Sequence, residues 1–80
     1  MFESMSTEDK IALCDEQVSQ VDRNIYSYML TLGLDPDAGD ATAVTVDSSE
    51  SDYVQSLQQS IIDAVARRAF IVGIKTALSA

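Results

Sequence analysis

Apolar side chains recur along the first third of the chain at Ile11, Cys14, Val18, Val21, Ile25, Tyr28 and Leu32, in alternating steps of three and four. That alternation keeps all seven on one stripe of an α-helix, since the side-chain direction repeats every 3.6 residues. Ser6-Thr7-Glu8-Asp9 marks the start: the Ser6 hydroxyl is placed to accept the backbone N–H of Asp9, and acids in the first turn suit the positive end of the helix dipole. Gly33 supplies the left-handed conformation that closes the helix, Leu34 can fold back onto the last turn, and Asp35-Pro36 forbids continuation. The first helix is therefore expected over about residues 6–33, a rod of roughly 40 Å at 1.5 Å per residue.

A second periodic segment follows Ser48-Ser49-Glu50-Ser51-Asp52, any of whose serines can cap, and runs through Val54, Leu57, Ile61, Val65, Ala69 and Val72. The spacing predicts a helix over about 49–78. From Ile61 onward a second apolar row accompanies the first, through Ile62, Ala66, Phe70, Ile74 and Leu78. One partner helix cannot cover both rows. Gly73 lies within this stretch, at a helix-propensity cost of about 1 kcal/mol relative to Ala, and marks either a close helix crossing or a weak spot.

Residues 34–49 form an acidic connection longer than most helix-to-helix links. Within it Val44-Thr45-Val46 alternates as a short extended segment would. The expected fold is all-α: a single domain, residues 1–80, built as an antiparallel helical hairpin of two long helices and completed into a bundle by oligomerisation or by a partner.

Composition strengthens the need for company. Eighty residues bury little of their unfolded surface, and small domains compensate with disulfides, a structural metal or association. A single Cys excludes an internal disulfide, and no His beside one Cys excludes ordinary zinc spacings. Hydrophobic residues make up 46% of the chain, too many for a disordered one. The first six residues show neither a basic nor an apolar targeting region, so a cytoplasmic setting is the default expectation. The apolar run Ala69 to Ile74 is too short to span a bilayer.

The net charge of −8 disfavours direct contact with nucleic acid or anionic membranes and favours a partner with a basic surface. Twelve of the thirteen acids lie within residues 1–52, whereas Arg67, Arg68 and Lys75 make residues 53–80 slightly basic, so the two halves attract. Glu8, Asp15 and Asp22 fall seven apart, with Asp9 and Glu16 beside them, and form an acidic ridge flanking the apolar stripe. Such a ridge either pairs across the hairpin or faces a partner. As an alternative role, its carboxylates can imitate a phosphate backbone and block a basic host protein.

Little here supports an enzyme: there is no His, no phosphate-binding glycine loop, no nucleophile beside a base and no cofactor motif, and no small-molecule substrate is evident. Cys14 on the apolar stripe behaves as a small hydrophobe. Asp35, Asp37 and Asp40 resemble the start of a calcium loop, a weaker alternative, but Gly39 occupies a ligand position and Val46 stands where a bidentate Glu is required. No metal and no cofactor are expected.

The remaining pointer is the apolar excess. Ile11, Val18, Val21, Ile25, Ile62, Phe70, Ile71, Ile74 and Leu78 are the candidate self-association or partner surface, with Arg67 and Arg68 at its rim and Glu8, Asp15, Glu16 and Asp22 as the acidic, partner-facing side. A non-catalytic interaction or assembly subunit, self-associating first and otherwise bound to a larger protein, is the expected function. The short, cofactor-free chain also fits the small structural or inhibitory proteins that bacterial viruses encode.

Overall fold

The computed structural model describes all 80 residues and shows two long helices, α1 (Thr7–Thr31) and α2 (Asp52–Ser79), joined by a loop that holds one 3-10 turn, Ala41–Ala43. There are no strands. Ser6 Oγ accepts the Asp9 N–H at 3.0 Å, which starts α1. Gly33, at φ 78°, ends it: the Leu34 N–H donates to the Met29 carbonyl at 2.9 Å and the Gly33 N–H to the Leu30 carbonyl at 3.0 Å. That pair of bonds is the Schellman closure, and it requires the left-handed residue glycine provides.

Helix α2 starts later than its sequence suggests. Ser49 is occupied elsewhere, donating its N–H and its hydroxyl to Asp47 Oδ1 at 2.9 and 2.6 Å, so capping falls to Ser51, whose Oγ accepts the Val54 N–H at 3.3 Å. The extended segment expected at Val44-Thr45-Val46 does not become a strand either. No second strand exists for it to pair with, and an isolated extended segment gains no ladder bonds. Ala41–Ala43 coils instead, with Asp40 Oδ1 accepting the Thr42 N–H at 2.9 Å.

The core is the seam between the helices. Val21, Ile25 and Met29 of α1 meet Ile61 and Ile71 of α2, and Ile61 is fully enclosed at 0% exposure. Cys14, Val18, Tyr28, Leu32, Ala64 and Val65 pack around them. The row that faces α1 is Val54, Leu57, Ile61, Ala64, Arg68, Ile71, Lys75 and Leu78, in steps of three and four. It departs from the expected row after Ile61. Steps of four, as from Ile61 through Val65 to Ala69, turn roughly 40° off the seam each time, whereas alternating three and four stays on it.

Two cations thus occupy positions in the seam row. Arg68 Nε pairs with Asp22 Oδ1 at 2.7 Å and Lys75 Nζ with Asp15 Oδ1 at 2.6 Å, seven residues apart on each helix. Half-exposed pairs of this kind contribute about 0–1 kcal/mol each. Their larger effect is on register: sliding α2 by one heptad would carry Arg68 to the level of Met29, a charge against the core.

The loop folds back over one side of the hairpin. Its 3-10 turn packs against α2, the Asp47 N–H donates to Gln58 Oε1 at 2.9 Å, and the Tyr26 hydroxyl reaches Asp37 Oδ2 at 3.5 Å. Gly39 sits where a side chain has no room, since a Cβ would lie 2.9 Å from the Asp35 carbonyl oxygen and 3.2 Å from Met29 Cε. Gly39→Ala is accordingly expected to lower stability by about 1–3 kcal/mol in urea unfolding, the usual penalty for overpacking. A variant as stable as the parent would show that the loop is free to move off Met29.

The result is elongated, 49 × 25 × 17 Å with a radius of gyration of 15.3 Å, against about 12 Å for a compact chain of this length. Its accessible surface is 5575 Å², against about 4,700 Å² for a globular protein of this mass. Only five residues are buried. Neither helix is long and apolar enough to cross a membrane.

Candidate interaction surface

Once the seam is filled, α2 still carries an apolar face pointing away from α1. Phe70 stands nine residues after Ile61, two and a half turns, and so projects in the opposite direction. It is 67% exposed, and Ile74, one turn further, is 41% exposed. Ala66, Gly73 and Ala77 share this face and are exposed, and Ile62 at its upper edge is half-buried. Between Ala66 and Ala77 only Arg67 stands beside it, since Arg68 and Lys75 lie in the seam row, and Asp63, seven residues before Phe70, is an exposed charge at the upper end of the same face. Neither the loop nor the first residues cover it, for the loop lies on the Val65 side and Phe2 is itself 60% exposed.

The nine apolar candidates read from the sequence divide between two places. Val21 and Ile25 are buried in the seam, with Val18, Ile11 and Leu78 half-buried along it. Ile71, grouped by the sequence with Phe70 and Ile74, is instead 7% exposed and belongs to the core, because it continues the three-four row that the second cation interrupts. Phe70 and Ile74, with Ile62 beside them, are what remains outward. Met29, at 3% exposure, is a core residue that the stripe omitted. Its signal was its place four residues after Ile25, on the side of the stripe the loop covers.

The charged candidates divide likewise. Arg68 is drawn into its pair with Asp22, and Arg67 Nη2 donates to Gln17 Oε1 at 3.3 Å, which leaves Arg67 beside the exposed face. Asp15 and Asp22 are engaged across the hairpin, while Glu8 and Glu16 extend from α1 into solvent with no ion pair. The acidic ridge is thus half spent on the fold itself.

In the loop, carboxylates serve the backbone. Asp35 accepts the Asp37 N–H at 3.0 Å, and Asp40 and Asp47 each accept an N–H and a hydroxyl two residues on. Nowhere do three acidic or thiol side chains converge as a metal site would require. The Thr42 hydroxyl and then its N–H hold the Asp40 carboxyl below its ordinary value of 3.8, and Ser49 does the same for Asp47. Since these folded values are depressed, the stabilisation is complete above the unfolded value and disappears as pH falls through the folded one. Protection of the Thr42 and Ser49 amides in hydrogen exchange is expected to persist down to pH 3.8 and to be lost only as pH falls through the lower, folded value, and Thr42→Val is expected to return Asp40 toward 3.8. An Asp40 carboxyl resonance titrating at or above 3.8 in the parent would contradict these bonds.

One open cleft of about 410 Å³ lies between the loop and both helices, floored by Ile25, Met29, Val65 and Ala69 with the Asp22–Arg68 pair at its rim. Among its lining, Arg68 is paired with Asp22 and the Thr42 hydroxyl donates to Asp40 Oδ1 at 2.6 Å. Among known proteins the chain matches no family model, no curated protein and no solved structure.

Proposed function

We propose that this chain is a non-catalytic assembly or interaction subunit: it self-associates through the outer face of α2 and presents an acidic surface, from α1 and the loop, to a partner with a basic one. The observation that carries this reading is the position of Phe70 and Ile74, 67% and 41% exposed on a helix face whose one acid, Asp63, lies two turns before Phe70. Large apolar side chains gathered on one outward face mark an association surface, whereas scattered ones need no explanation. The scarcity of buried residues adds a second support, because a hairpin alone encloses little and a neighbouring copy completes the bundle. The outward acids, Glu8, Glu16 and the loop carboxylates, are suited to steer a basic partner.

Light scattering on the purified chain at low and high salt tests the reading. Self-association gives a mass that is a multiple of 8.7 kDa and persists in high salt, since apolar contact is not screened. A single 8.7 kDa species at every concentration would remove the proposal.

A further inference from the structure

Resting on the self-association just proposed, we infer the occupant and its orientation: a second copy of the chain, its α2 lying antiparallel on the first, with Phe70 of each copy seated over Gly73 of the other about a twofold axis. Gly73 has no explanation inside the monomer. A Cβ built there meets nothing within 4 Å, and its φ is an ordinary helical one, so neither space nor backbone conformation calls for glycine. Glycine in a helix interior nonetheless costs about 1 kcal/mol relative to Ala. It leaves a notch on the outer face. Three residues earlier on that face stands Phe70, a bulky ring equally without a partner.

Knob and notch on one face, a step of three apart, are what an isologous contact uses, because a twofold axis brings each onto the other twice. In the antiparallel arrangement Ala66 then lies opposite Ala77, and small side chains at those positions let the helix axes approach to about 8 Å. A parallel arrangement sets Phe70 on Phe70 and Gly73 on Gly73, a clash beside a void. A foreign helix would not need the two features to sit together on this one.

Charge is compatible with the same occupant. Each copy carries −8, concentrated in α1 and the loop, so contact through those segments would set like charges together. Of the three segments only α2 is not net acidic, with Arg67, Arg68 and Lys75 against Asp52 and Asp63; Arg68 and Lys75 are paired in the seam, which leaves Arg67 and Asp63 as the charges at the outer face. Contact through α2 holds the two acidic helices on opposite outer sides. The area is of the right size: over the whole molecule 5575 Å² exceeds the expected surface of a globular chain by about 900 Å², and a standard interface buries about 800 Å² per partner.

Disulfide capture decides it. In a Cys14→Ala background, chains carrying Ala66→Cys or Ala77→Cys are oxidised separately and mixed, with helicity checked by circular dichroism. The antiparallel dimer gives a disulfide between the two different variants and little within either alone. Homodisulfides in the separate samples, from a chain that still scatters as an oligomer, would overturn the orientation and leave self-association standing. A monomer by scattering that forms no disulfide overturns both. Gly73→Leu, which fills the notch and favours the helix, is expected to weaken association at least tenfold, and an unchanged dissociation constant would count against the Phe70 seat.

Discussion

Ile61→Ala abolishes the cooperative fold of the isolated chain at room temperature. Ile61 is the one large side chain with no exposed surface, and it lies where Val21, Ile25 and Met29 of α1 converge on α2. Truncating a buried isoleucine to alanine costs about 2–5 kcal/mol, the lost transfer energy plus the cavity left behind. A single small core supplies rarely more than about 3–5 kcal/mol in total, so this one deletion removes most of it. The helical signal at 222 nm, followed through a thermal melt, reports the loss. Ile62→Ala is the control: half-buried at the edge of the outer face, Ile62 should cost less than half as much. Equal losses at the two positions would mean that the seam does not run through Ile61.

The paired substitution Phe70→Asp with Ile74→Asp has the opposite signature. Both side chains are already exposed in the monomer, so placing carboxylates there buries no charge within the hairpin and leaves its helicity intact. On the self-association proposed above, the variant no longer assembles, because two copies would have to bury four unpaired carboxylates at the contact. Light scattering is expected to give 8.7 kDa, and the melting temperature, expected to rise with concentration in the parent, is expected to be independent of it in the variant. Unfolding of the double variant at every concentration would show that Phe70 and Ile74 hold up the hairpin from within.

Features set by neighbours along the chain were legible in the sequence. Ser6 as cap, Gly33 as the left-handed stop and the stripe from Ile11 to Leu32 each depend on residues within a turn or two, and all stand in the structure. The rotation of α2 was not, because a row of steps through Val65, Ala69 and Val72 looks as apolar as the true seam, which admits Arg68 and Lys75. Only the facing Asp22 and Asp15 make those cations tolerable, and that is a fact about two helices at once. The same ambiguity placed Ile71 with Phe70 and Ile74. The excess of apolar surface was legible, since it is a count, but which residues bear it was not, since that depends on a rotation. In the loop, whether Ser49 bonds to Asp47 or caps α2 in place of Ser51, and the absence of a strand to receive Val44-Thr45-Val46, are settled only when the chain folds back.

The ladder of pairs from Asp15–Lys75 to Asp22–Arg68 places the first turn of α1 and the last turn of α2 at the same pole. Tension applied between Met1 and Ala80 would therefore peel the helices apart one layer at a time, beginning beside Leu78, passing Ile61 and arriving last at Leu57 and Val54. A hairpin loaded in this way gives at low force, while the same molecule gripped at its loop and at one end is sheared along its whole length and resists far longer.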